Sequence, residues 1–320
     1  MGEAANITEI GTRRDLVRKT LNLATRYIDT RSYATGYAVS GSYTTVIFGP
    51  QALVGGTGIS VNLPVTLEAE GTVAVTADGA VGVTLDAGSL DNTGTIEATG
   101  SAGIGVLVDG GQASNAGLIE VTGDYSIGVD VAGGGFTNTG TIADISRVVR
   151  PILTLGTDQA AIAVTGDAMV TNAGFVEVMG GGQSTGAEVS AGTFINTGTI
   201  YEEVIPLLTY GTTRYAGYQF DSGVTAFGSG MVVNDGVIGN CTLHQGGVYL
   251  SGAAGLTNSG TIFAYGGFGL SATTSGTIVN SGTIYGSRAG AYLSSGAVLV
   301  NTGTISGSLE FKRKWFFRFQ

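Results

Sequence analysis

The chain has 320 residues, of which 56 are Gly and four are Pro, a balance that fits neither collagen nor a Pro-rich linker. Hydrophobic residues make up 43% and charged residues 12%, enough apolar material for a core and too little charge for disorder. Residues 32 to 311 hold four Lys/Arg against 20 Asp/Glu, a net −16, so no nucleic acid is expected as a partner of this body.

At the N-terminus, "MGEAANITEIGTRRDLVRKTL" has no apolar h-region, so no signal peptide is expected there, and Asn6 argues against a myristoylation start. No run of about 18 apolar residues occurs anywhere in the chain. In residues 11 to 28, Val17, Leu21, Ala24 and Ile28 fall on one helical stripe with basic residues elsewhere. Residues 1 to 31 are therefore read as a short N-terminal helical cap, or as a non-native segment; residues 32 to 308 form the body.

That body is a repeat. Asn-x-Gly recurs at Asn92, Asn115, Asn138, Asn172, Asn196, Asn234, Asn258, Asn280 and Asn301, with gaps of 23, 23, 34, 24, 38, 24, 22 and 21 residues. "AEGTV" at Ala69 to Val73 is an earlier copy without the Asn. Between these corners lie short alternating stretches such as "GVTLDAG", "GVLVDGG" and "GVDVAGG". Val83 and Leu85 should face one way and Thr84 the other, and likewise Val106 and Val108 about Leu107, and Val129 and Val131 about Asp130.

Two or three strands per 21–24-residue coil predict an all-β fold, a right-handed parallel β-helix (β-solenoid) of about eleven coils, ~50 Å long at ~4.8 Å per coil. Stacked coils bring each Asn above the last, so the amides should form a structural ladder. Asn also tolerates the left-handed backbone of a sharp bend, Gly two places on permits the bend, and Thr-Ile restarts a strand with Ile inward.

Tandem "NTGTI", "NSGTI" and "GVYLSG"-type coils over residues 56 to 308 resemble the passenger domains of bacterial autotransporters. The resemblance implies a right-handed parallel β-helix at the bacterial cell surface or outside the cell, acting as an adhesin toward a glycan or protein of a host or neighbouring cell. It also implies contact with the outer membrane only through a translocator barrel, a segment expected to be absent from this chain.

Two gaps exceed the coil length by 11 and 15 residues. They contain "VRPILTLGT" at 149 to 157 and "VIPLLTYGT" at 204 to 212, one element used twice. Both should emerge on the same side, about two coils or roughly 10 Å apart. They carry Arg147, Arg150 and Arg214, three of the body's four arginines, together with Tyr210 and Tyr215, and with Asp144, Asp158, Glu202 and Glu203 nearby. These arginines and tyrosines are the ligand-binding candidates, because binding concentrates in loops on a rigid scaffold. The blander alternative is that both insertions pack over the flank, stiffened by Pro151 and Pro206.

The competing function is a polysaccharide lyase or glycoside hydrolase of β-helix fold. Its carboxylates would come from Asp86, Asp109, Asp130, Asp167 and Glu188, which recur at coil spacing and read as a ladder of acids rather than a converging pair. No catalytic residue is therefore assigned. Tyr201, Tyr249, Phe263, Tyr285 and Tyr292 should take comparable outward places in later coils, where rings can stack on sugars or on protein.

No metal site or cofactor is expected, since Cys241 and His244 are the only residues of their kinds and the Gly-Gly-x-Gly-x-Asp calcium repeat is not present. Residues 309 to 320, ending "FKRKWFFRFQ", leave the repeat for a basic-aromatic tail. Chains of this shape also invite end-to-end self-association.

Overall fold

The computed structural model describes residues 25–41, 43–145, 159–179, 184–203, 222–243, 246–294 and 296–307. Among these residues every regular element is a β-strand, and the strands stack into three parallel sheets of twelve, twelve and eleven strands. Each coil contributes one strand to each sheet in turn. One complete coil runs Ser89–Asn92 in the first sheet, Thr95–Ala98 in the second and Ile104–Val108 in the third.

Register is residue on residue. Ser89–Asn92 pairs with Gln112–Asn115 one coil on, Thr95–Ala98 with Leu118–Val121, and Ile104–Val108 with Ile127–Val131. The alternation read from the sequence sets the inward face: Val83, Leu85, Val106, Val108, Val129 and Val131 are fully buried, while Thr84, Leu107 and Asp130 between them are half-buried. Ile96, Ile142, Ile200, Ile262 and Ile284 of the Thr-Ile pairs, with Ile119 after Leu118, form an aliphatic column in the second sheet. Burial stabilises each such side chain by about 1.5–3 kcal/mol, and the in-register stack repeats that gain at every coil.

The strands begin earlier than the expected start of the solenoid at residue 32. Thr25–Ile28, which end the stretch read as an amphipathic helix, form the first strand and pair with Thr45–Phe48. The rest of that stretch lies outside the described residues, as do residues 308–320. Near this end the core closes on aromatic rings. Tyr33 meets Tyr37 edge-on at 4.9 Å, Tyr37 meets Phe48 at 5.0 Å, and the Arg26 guanidinium lies 5.5 Å from the Tyr37 ring centre. Burial pushes the Tyr37 phenol above its ordinary pKa, against the opposing pull of Arg26.

Candidate functional site

The nine Asn residues come together as a single ladder at the end of the first-sheet strands, buried from Asn92 to Asn280 and half-buried at Asn301. Asn92 Nδ2 donates to Asn115 Oδ1 at 2.7 Å, and the same bond runs through Asn138, Asn172, Asn196, Asn234, Asn258 and Asn280 to Asn301, at 2.6–2.8 Å. Each amide also reaches corner carbonyls, in Asn138 those of Gly140 at 3.2 Å and Phe175 at 3.4 Å. Ala69 occupies the register position before Asn92, so the ladder stops there and Asn92 Oδ1 is buried without a hydrogen-bond partner.

The corner itself differs from expectation. Neither these asparagines nor the glycines two places later adopt the left-handed backbone; among the described non-glycine residues only Ala102 and Tyr125 have positive φ. Glycine is required for space instead. A Cβ on Gly94, Gly117, Gly140, Gly174, Gly198, Gly236, Gly260, Gly282 or Gly303 would collide with the carbonyl oxygen of the glycine one coil back. Asn92 Oδ1 apart, the amides of the ladder are accounted for by hydrogen bonding and its glycines by close approach, which gives this packed corner a structural part in the fold.

Chemistry that the scaffold leaves over gathers along a different edge, between the second and third sheets. The first insertion leaves the second sheet after Thr141–Ile145 and returns to the third at Gln159–Val164. The second leaves after Thr199–Glu203 and returns at Ser222–Ala226. These two exit strands sit either side of Phe175–Met179, so the insertions depart from one edge, two coils apart, as the spacing predicts. Arg147, Arg150, Arg214, Tyr210 and Tyr215 all lie outside the described residues.

At the roots of the insertions the structure places two of the acids expected near the loops. Asp144 and Glu202 are not loop residues but strand positions, 0% and 1% exposed, in a column running Val121, Asp144, Val178, Glu202, Asn240 and Ala264. Asn240 Nδ2 donates to Glu202 Oε2 at 2.7 Å. The signal was available: each stands two places after an inward Ile of the second sheet, Ile142, Ile200 and Ile238, so strand alternation turns all three toward the interior. Carboxylates at such positions need neutralising partners, and both Asp144 and Glu202 are engaged in further interactions.

The outward carboxylates do not form one ladder. Asp86 and Asp109 follow the third-sheet strands at successive corners, with amides bonded to Val61 and Leu85. Asp130 and Glu188 stand within the third sheet, separated by Ala163, and Asp167 lies in a turn. The Asp130 carboxyl is held above its ordinary pKa, first by burial and then by the negative charge of Asp109. A second acidic column, Glu97 and Glu120 in register, with Glu177 beyond Ala143, faces outward from the second sheet.

Farther along the same edge the acids give way to rings. Tyr201, Phe263 and Tyr285 continue the outward column of Glu177, with Gly239 between the first two. Tyr249 and Tyr292 occupy the outward column of Asp130 and Glu188 in the third sheet. Near the end of the strand Thr261–Gly266, Tyr265 lies 5.2 Å from Phe263 and 6.4 Å from Tyr285, centre to centre. Phe268 lies 5.2 Å from Tyr292, and the Arg288 guanidinium stacks 5.0 Å from the Phe268 ring centre. Tyr265 is 61% exposed and Tyr292 45%. The sequence reading identified the column rings but missed Tyr265, Phe268 and Arg288; Tyr265 obeys the strand alternation, two places after Phe263 on the outward side of Thr261–Gly266, whereas Arg288 lies in the bend between strands.

Among known proteins, no family model, curated protein or solved structure matches this chain.

Proposed function

We propose that this chain is an extracellular or bacterial cell-surface β-solenoid module, structural and adhesive, which presents its two insertions for binding a glycan or protein of a host or neighbouring cell. The observation that carries this reading is the shared departure point: both insertions leave one edge of a rigid, laddered scaffold, two coils apart. Two copies of one Pro-Leu-Thr-Gly-Thr element so placed can engage one ligand together, which raises the effective concentration of the second contact once the first has formed. Their arginines supply bidentate donors for carboxylates in a body that otherwise repels anions. Surface placement follows from the likeness of the coils to autotransporter passengers.

The test is excision. Removing residues 146 to 157 or 204 to 220, each replaced by a short Gly-Ser link, should leave β-rich circular dichroism unchanged and lower binding to cells or to a glycan array. If both variants bind as the parent does, the insertions pack over the flank and this reading falls.

A further inference from the structure

The charge of the body is segregated along its axis. No Asp or Glu occurs between Asp235 and Glu310, so all but one of the acids in residues 32 to 311 lie in the earlier coils. Within the acid-free coils the one Arg or Lys is Arg288. Its guanidinium stacks on Phe268, and it has no carboxylate partner among the described residues. A stacked guanidinium keeps its N–H edge available for a bidentate contact.

Around Arg288 stand Phe263, Tyr265, Phe268, Tyr285 and Tyr292, the partly exposed rings of the edge described above. Phe263 and Tyr285 are in register one coil apart, which sets them ~4.8 Å apart along the axis. Ser287 and Arg288 bond through their backbone amides to the carbonyls of Ala264 and Gly267, which fixes one corner on the next. The platform is therefore held by sheet backbone and needs no loop to order it.

We infer that this aromatic edge binds carboxylate-bearing sugar units of a glycan chain, with pyranose C–H faces stacked on the Tyr265 and Tyr285 rings and the carboxylate on Arg288. The weakly positive C–H face of a sugar complements the negative face of an aromatic ring. Charge complementarity selects the acid: the coils from Glu68 to Asp235 repel an anion, and the carboxylate-free coils after Asp235 hold a cation with no carboxylate partner among the described residues. The rings stand on the outward sides of two adjoining sheets, where flat sugar rings can lie along them. The inference rests on the adhesive reading but places a contact on the scaffold, apart from the insertions.

The experiment uses the full chain and immobilised oligogalacturonate, alginate, hyaluronan and sialyllactose, each beside its methyl-esterified counterpart. The parent should bind at least one acid form better than its ester. Tyr265→Ala should weaken binding to both forms by about tenfold, and Arg288→Ala should remove the preference for the acid, a loss of about tenfold on the acid form alone. Circular dichroism and the elution volume of each variant should match the parent.

Acid binding unchanged in both variants but lost on excision of the insertions overturns this inference and leaves the adhesive reading standing. Absence of binding to every probe and to cells overturns both. A Tyr265→Ala variant that changes oligomeric state makes the edge an interface between copies, and the inference falls.

Discussion

Asn240 donates an amide hydrogen to Glu202 at 2.7 Å from the register position directly beyond it, inside a column whose other described members, Asp144 apart, are small or aliphatic. Two polar side chains thus sit in contact where the repeat elsewhere favours hydrocarbon, at the root of the second insertion. Glu202→Val should cost about 1–3 kcal/mol because it takes this acceptor from the Asn240 amide, whereas Glu202→Val with Asn240→Val should be more stable than the two single effects predict, by about 1 kcal/mol. A double-mutant cycle in urea reads this. Additivity within about 0.5 kcal/mol would dismiss the coupling.

Asn138→Ala, in mid-ladder, should destabilise by about 1–2 kcal/mol, since Asn115 loses an acceptor and Asn172 a donor. Asn138→Asp should cost more, because a carboxylate oxygen would then face Asn172 Oδ1. Asn301→Ala should cost least, because among the described residues this amide donates only to the Gly303 carbonyl of its own corner. Equal denaturation midpoints for the three variants would remove the ladder from the stability of the fold.

Gly140→Ala should fail to fold or lose several kcal/mol, as its methyl would enter the Gly117 carbonyl of the preceding coil. Gly79 is the control. Its φ is +69° and a Cβ there meets nothing within 4 Å, so Gly79→Ala should cost only about 1 kcal/mol of backbone strain. Comparable losses from the two variants would mean that glycine serves the Asn corner through conformation rather than space.

Asp130 gives a pH signature. Its folded pKa lies above the unfolded value, so the folded state binds the proton more tightly, and the carboxyl favours folding only while protonated. That favourable contribution is complete below the unfolded pKa and lost as pH rises through the folded one. Asp130→Asn should therefore melt above the parent at pH 7, with the difference shrinking as pH falls toward about 4. A parent more stable than Asp130→Asn at pH 7 would reverse the assignment.

The in-or-out sense of strand residues was legible because side chains alternate with period 2 and the coil repeat is long enough to see. Val83, Leu85 and Ile96 needed nothing more. The acid columns were harder because their spacing misleads. Asp86 and Asp109 are one 23-residue coil apart and share a corner, but Asp109 and Asp130 differ by 21, and the register partner of Asp130 is Leu107. Two residues of offset separate a corner from a strand face. Asp144 and Glu202 stand just before the insertions, and counting from Ile142 and Ile200 places both inside. Tyr265 follows the same alternation from Phe263, but the meeting of Arg288 with Phe268 of the preceding coil depends on how successive coils stack, and no periodicity within a single coil encodes that.

Residue-on-residue register has a consequence for how such a chain can change in length. Cutting out residues 93 to 115 would join Asn92 to Ala116 and lay Asn92 directly under Asn138, with Leu90 under Phe136 and every later pairing untouched. Whole coils are therefore interchangeable parts, and gene duplication or loss of one whole coil, 23 codons here, would lengthen or shorten the rod by ~4.8 Å while keeping the register of the later coils. The distance between the two insertions and the aromatic edge is thus a quantity that selection can set in discrete steps, independently of what either one binds.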